Sequence, residues 1–518
     1  MSKAIASKLY KKGLQHSSAM AVCSGAKGIL AIIPPILIAK SIGLGNITDA
    51  YLMALSINQI IIKFLRIGTL SKIYVMVLSD DFVKNKEALK ASLNNFFNIS
   101  LFLSLSVSLI IYISAPRLVN LIASGFDAEK KLFTVNIVRT LIYLFPYQFI
   151  VNLFEGIFKL YNEFSRWAML DLIAPLIVVV FTCIFTSSLG IYSIIYGTLI
   201  GACVHLLVLL YHIYGKFEFF YKPELNFKNK LLKKIPNLLY PYYLSGVFVQ
   251  VMLGIQSFFA SLLPPGFASA YFYALKMKSY IEDFSVNIVS EIAFPYFIKK
   301  IVHISINEIK DIYNQLICFA NYIFLPGLII LAVFGTQIIE IMFGSKFTDP
   351  DIILKLGLSF SCFMVFFLPE PSNSMQFSVI LAVKKNLWFN LVNIFRMIVV
   401  IFLSVILFKY FKFWGIIFSY SLTHLQGFLS NQWYLRKKYS FDNVIFGKRF
   451  LKIILLNIIT AFFCFYLNHY FLSKIHLLYI YQKIILVAVG CFIGVLFYVL
   501  MSYLSKSKEL FTVLSVLN

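Results

Sequence analysis

Charge is scarce in this sequence. Only 13% of its 518 residues are Asp, Glu, Lys or Arg, while 60% are hydrophobic; soluble domains carry about 25% charge. Mean hydropathy is +0.84. A chain with so little charge cannot hide its apolar surface in water, so soluble, secreted and disordered classes are excluded. The apolar runs are continuous rather than alternating, which excludes a β-barrel. Acidic residues are scarcer still: 22 against 46 Lys and Arg, a net charge of +24. The lysines fall mainly between the apolar runs, where they set membrane orientation rather than bind nucleic acid. Seven cysteines lie inside apolar runs with no CxxC pair, which argues against a disulfide framework and a metal site. There is no GxxxxGK[ST] loop and no HExxH, so neither ATP-driven pumping nor zinc hydrolysis is indicated. The basic start (Lys3, Lys8, Lys11, Lys12) leads into a first span containing Pro34 and Pro35 rather than a cleavage site. That span is expected to remain in the mature protein.

What is present is a series of runs long enough to cross a bilayer, which takes about 20 apolar residues. Fourteen are expected, among them 50–78, 238–263, 267–297, 353–382 and 413–435. Loops after even-numbered spans hold most of the lysines, which predicts both termini in the cytoplasm. Ala50-Tyr51-Leu52-Met53-Ala54-Leu55 returns as Ala270-Tyr271-Phe272-Tyr273-Ala274-Leu275, and Asn98 returns as Asn321, at an offset near 220 residues. An even number of spans per repeat relates the halves by an axis along the membrane normal. The chain is therefore predicted to be an all-α polytopic membrane protein. Its expected parts are a six-helix lobe (1–215), a basic cytoplasmic linker (216–237), a second, pseudo-symmetric six-helix lobe (238–440) and two extra helices (441–518). A chain of this kind is most often a transporter, not an enzyme.

Several motifs, in order, carry a more specific likeness. They are Gly43-Leu44-Gly45-Asn46-Ile47-Thr48-Asp49-Ala50-Tyr51, Gly68-Thr69-Leu70-Ser71, Ser124-Gly125-Phe126, Phe145-Pro146-Tyr147, Tyr161-Asn162-Glu163-Phe164, Pro223-Glu224-Leu225-Asn226-Phe227, Phe259-Ala260-Ser261 and Phe294-Pro295. With them the chain resembles the MviN/MurJ-type lipid II flippases of the MOP exporter superfamily, over nearly its whole length. The resemblance implies a multi-pass protein of the bacterial cytoplasmic (inner) membrane that moves an undecaprenyl-diphosphate-linked saccharide by alternating access. It implies a cationic cavity between the lobes, a groove for the lipid tail, membrane lipid as the other partner and no cofactor. Coupling to membrane potential or a monovalent ion is expected, a monomer is expected, and cell-envelope synthases are candidate partners. The motifs favour the peptidoglycan precursor. Where the family usually has arginines, this chain has Ile62-Lys63 and Leu275-Lys276, and lysine binds phosphate as a point charge without bidentate geometry. That departure leaves open an O-antigen or capsule repeat unit of the Wzx type. A cation-coupled multidrug antiporter is the third reading.

Ionisable groups inside spans are costly and usually face the protein interior. Lys27, Lys63, Arg66, Lys276 and Lys278 are therefore candidate substrate-binding cations. Lys63 and Arg66, at i and i+3, are expected to share a helix face with Gln59. The alternative for Lys63, Arg66 and Lys278 is a position near a helix end, snorkelling to the interface. Asp49 is a candidate gate residue, or an N-cap shared with Thr48. Glu370, between two prolines, is the candidate coupling acid on a broken helix. Glu155, Asp171, Glu282, Asp283, Glu291 and Glu340 are the other acids of the spans, and Glu282 is expected to pair with Lys278 four residues earlier. Arg139 and Arg396 are candidate partners for carboxylates, and His205 and His424 are expected to be hydrogen-bonded packing residues. No catalytic or metal-binding residue is expected.

Overall fold

The computed structural model describes residues 3–84, 86–217, 221–223, 226, 234–283, 306–382, 386–439, 447–475 and 480–511. Nearly all of these are helical and no strand occurs among them. The chain is an all-α polytopic membrane protein that separates into two compact units, Met1–Pro265 and Gly266–Asn518.

The first unit contains α1 (Lys3–Ile42), α2 (Asn46–Phe64), α3 (Leu70–Lys84), α4 (Lys86–Ile122), α5 (Ala128–Leu141), α6 (Leu144–Leu160), α7 (Phe164–Leu170), α8 (Ile173–Leu189), α9 (Tyr192–Phe217) and α10 (Lys234–Ser261). The second contains α11 (Phe267–Glu282), α12 (Ile306–Val333), α13 (Gly335–Phe343), α14 (Pro350–Phe367), α15 (Glu370–Ala382), α16 (Asn386–Phe411), α17 (Phe413–Tyr439), α18 (Lys448–Ile475) and α19 (Ile480–Leu504). In the first unit α2 packs on α5 and α10, and α3 and α4 pack on α6. Their core is aromatic: Tyr74, Phe96, Phe145, Phe154 and Phe158 are buried together. In the second, α11 and α13 pack on α14, α15 packs on α17, and the last two helices pack on α12. Tyr313, Tyr322, Met375, Leu435 and Tyr498 form the core there.

Ten helices among the described residues are long and apolar enough to cross a membrane. The other four expected runs coincide with α2–α3, α10, α11 and α17. Each is interrupted by groups that a lipid-facing helix would exclude: Lys63 and Arg66, Gln250 and Gln256, Lys276 and Lys278, His424 and Asn431. Their low apolarity marks them as helices with something polar to face. The run 267–297 is seen as far as Glu282; Glu291 and Phe294-Pro295 lie outside the described residues.

Most of the basic linker also lies outside the described residues, but two of its residues show how it is held. Asn98 Nδ2 donates to the Lys222 carbonyl at 2.8 Å, and the Lys222 N–H donates to Asn94 Oδ1 at 2.7 Å. Asn95 donates to and accepts from the Asn226 backbone at 3.0 and 2.8 Å. Three buried amides on α4 thus supply the partners that a non-helical backbone needs.

Candidate functional site

The five candidate cations fall into different environments. Lys27 on α1 forms an ion pair with Asp171, the residue that closes α7. Lys63 is exposed in the last turn of α2 and its ammonium has no partner among the described residues. At that position it also complements the negative end of the helix dipole.

Arg66 departs from the expected stripe. The helix stops at Phe64, and Arg66 takes a left-handed conformation with φ 55° before a single 3-10 turn, Ile67–Thr69. It therefore does not share a helix face with Lys63 and Gln59. Such a conformation costs a non-glycine residue about 1–2 kcal/mol. The break is closed by Thr69, whose N–H and hydroxyl both donate to the Arg66 carbonyl at 3.0 and 2.8 Å. The guanidinium lies on Gly246 of α10, where a Cβ would stand 2.1 Å from Arg66 Cζ. Arg66 is thus a packing element at a kink, and Gly246 is the gap that admits it.

Asp49 is fully buried, and its Oδ2 accepts from Lys130 Nζ at 2.8 Å. Lys130, on the first turn of α5, also reaches Asn46 Oδ1 at 3.3 Å and lies over the Phe126 ring at 4.1 Å. The cap of α2 is made by Thr48, whose hydroxyl accepts from the Gly45 N–H at 2.7 Å and donates to the Gly45 carbonyl at 2.9 Å. Thr48 takes the capping role, and Asp49 pairs with a lysine. That lysine was missed in the sequence, where Lys130 and Lys131 read alike as loop charges.

The second unit holds a denser network. Lys278 is buried, donates to Glu282 Oε2 at 2.7 Å and lies 4.7 Å from the Phe367 ring centre. The expected intrahelical pair is therefore present, and it occupies Lys278. Lys276, two residues earlier, is half-buried and its ammonium has no partner among the described residues. A half-buried ammonium without an acceptor favours any anion that reaches it.

Glu370 begins α15, after α14 ends at Phe367, so the helix is broken where two prolines flank the acid. Its Oε1 accepts from Asn373 Nδ2 at 3.0 Å, and its Oε2 faces His424 Nδ1 at 2.9 Å. Asn431 Nδ2 donates to Asn373 Oδ1 at 2.9 Å, and Trp388 Nε1 donates to Asn431 Oδ1 at 3.1 Å. Arg396 and Lys278 supply the positive charge that the carboxylate feels. The Arg396 guanidinium lies on Gly427 of α17, where a Cβ would come within 1.8 Å of Nη2. Gly427→Ala is therefore expected to push the arginine out of register and cost about 1–3 kcal/mol. A thermal melt unchanged by the substitution would contradict this packing.

Beside this network, α12, α14, α15, α17 and α18 enclose an apolar cavity of about 410 Å³. Leu325, Ile329, Val365, Phe428, Ile454 and Ile458 line it, and Asn321 and Asn457 add the polar atoms. Three of the other acids are paired: Glu155 with Lys159, Glu340 with Lys483, and Asp171 as above. Arg139 donates to the Tyr112 carbonyl at 3.3 Å rather than to a carboxylate. His205 and His424 are both hydrogen-bonded, through Nδ1.

Comparison with known proteins identifies this architecture. Among solved structures, the chain is similar to a lipid II flippase MurJ in an inward closed conformation (TM-score 0.76, 17% identity, 93% of this chain and 98% of that one). It is also similar to an inward-facing multidrug resistance MATE family transporter of the MOP superfamily (TM-score 0.67, 14% identity, 81% of this chain and 98% of that one). At these identities the likeness establishes the fold. In sequence, it is 25% identical to a probable lipid II flippase MurJ of Buchnera aphidicola subsp. Acyrthosiphon pisum, over 79% of this chain and 81% of the relative. A second Buchnera relative, from subsp. Baizongia pistaciae, is 26% identical over 63% of this chain and 64% of its own length. The family model described as lipid II flippase MurJ matches residues 38–490. With the match running through all but the ends, the chain belongs to the lipid II flippase MurJ family.

Proposed function

We propose that the chain carries lipid II to the outer leaflet of the bacterial cytoplasmic membrane by alternating access, with no covalent change to the lipid. The observation that carries the residue-level reading is Lys276: in a helix otherwise apolar enough to be buried, it holds an ammonium with no partner among the described residues. A diphosphate headgroup is the kind of ligand that such a charge favours, and Lys63 is the second unpartnered ammonium. Lys27 and Lys278 are held by Asp171 and Glu282, so they act on substrate only if those pairs open during the cycle. The apolar cavity against α18 is suited to part of a polyprenyl tail. A monomer with both termini in the cytoplasm fits the distribution of lysines.

The test is complementation of a bacterium whose own lipid II flippase is shut off, with lipid-linked precursors assayed on each leaflet. Survival with lipid II in the outer leaflet is expected. Lysis despite normal membrane expression would transfer the proposal to a surface-polysaccharide repeat unit, the reading favoured by lysine at positions where the family usually has arginine.

A further inference from the structure

Both units contain the same small constellation. A residue that directly follows a proline meets the Nδ1 of a buried histidine. In the first unit Tyr147, after Pro146, lies 2.7 Å from His205 Nδ1. In the second Glu370, after Pro369, lies 2.9 Å from His424 Nδ1. Tyr147 and Glu370 are 223 residues apart, and the histidines 219 apart, both close to the offset of the internal repeat. In both pairs the histidine Nε2 is buried and has no hydrogen-bond partner among the described residues. One arrangement has been kept in two copies with one substitution, a phenol in the first and a carboxylate in the second.

That substitution changes what the histidine can do. A phenol that donates to Nδ1 holds a neutral ring and offers no charge to balance an imidazolium. The charges near His205, Asp171 and Lys27, are spent on each other. A carboxylate that accepts from Nδ1–H orients the ring, turns the Nε2 lone pair outward and stabilises the imidazolium formed when that nitrogen takes a proton. The groups facing the pair come from each neighbouring helix. They are Lys278 and Glu282 on α11, Arg396 on α16 and Tyr420 on α17, while α14 contributes only the Phe367 ring. Lys278 and Glu282 pair with each other, and Arg396 faces Glu370. The carboxylate has no free oxygen: one meets Asn373 and the other His424. No group of three His, Cys, Asp or Glu side chains able to hold a metal ion occurs among the described residues. A metal cation would have to displace these partners, whereas a proton needs only Nε2.

We propose that the Glu370–His424 pair is a proton-binding site and that the proton is the ion coupled to transport. The proton adds to His424 Nε2, making the imidazolium, and leaves from the same atom; no other bond changes. The proton-binding half of this proposal stands on the second unit alone, and the coupling half rests on the transport reading above.

Two measurements separate them. In the full-length protein labelled with nitrogen-15 at its seven histidines, ring shifts are followed between about pH 5 and 9, the range around the imidazole pKa. A titrating ring whose signals vanish in His424→Gln and persist in His205→Gln is expected. If His424→Gln does not fold, Glu370→Gln is expected to move that titration instead. A His424 ring that does not titrate overturns the proton site. In liposomes, lipid II flipping is then compared with and without acid on the delivery face. One pH unit is worth about tenfold to a process coupled to one proton. Wild-type protein is expected to approach that acceleration, and Glu370→Gln to stay within about twofold of its rate without the gradient. Flipping indifferent to the gradient in wild type overturns the coupling. No flipping at any pH, beside a titrating His424, overturns the transport reading and the coupling with it, and leaves the proton site standing.

Discussion

Lys276→Ala is expected to slow lipid II flipping roughly 10- to 100-fold, the worth of a hydrogen bond to a charged group at about 1.5–3 kcal/mol. The protein should remain in the membrane at its normal level. The reasoning is that Lys276 has no intramolecular partner among the described residues. Removing it therefore strands no buried group, and the loss falls on the ligand. Lys276→Arg should keep most of the activity, because the charge is what the site needs and the fork adds to it. Lys278→Ala is the informative contrast. Its ammonium is buried, paired with Glu282 and set against Phe367, so its removal should lower thermal stability as well as transport. Flipping in liposomes, read beside a thermal melt of each variant, separates the two. Undiminished flipping by Lys276→Ala would remove Lys276 from the substrate site.

Lys130→Ala is expected to destabilise the first unit by about 3–5 kcal/mol, the cost of leaving one member of a buried ion pair behind. Asp49 has no exposure at all, so water cannot take the place of the ammonium. Low membrane levels and a lowered melting temperature should follow. The double change Asp49→Leu with Lys130→Met removes both charges and fills similar volume, and most of the stability should return. If Asp49 also serves as a gate, the double variant will be stable and still fail to flip lipid II. Full recovery of flipping would assign the pair to stability alone. No loss of stability in Lys130→Ala would show that Asp49 has another partner that suffices.

How much of this site could be read from the chain alone depended on the distance over which each feature acts. The broken helix at Glu370 was legible because two prolines flank it, and proline acts on its own neighbours. The Lys278–Glu282 pair was legible because a four-residue spacing puts both on one helix face. The Lys63–Arg66 stripe followed from the same rule and failed, because the helix ends between them at Phe64. The force that ends it is a tertiary one: the Arg66 guanidinium lies on Gly246, 180 residues away. Lys130 was illegible for a similar reason. Nothing local distinguishes it from Lys131, yet the start of α5 turns one inward to Asp49 and leaves the other outside that pair.

The sequence by itself determined that this is a many-span helical membrane protein with a repeat and a family. Those properties rest on hydropathy, on the side of the membrane that lysines prefer and on ordered motifs, each of which is a sum over short stretches of chain. Only the tertiary structure decided which buried charges are already satisfied and which are left over. Lys27 is taken by Asp171, Lys278 by Glu282, Asp49 by Lys130 and Glu370 by His424; Lys276 and the Nε2 atoms of two histidines are not. The physical reason is that a buried charge is stable only beside its partner, and for most of these residues the partner lies on another helix.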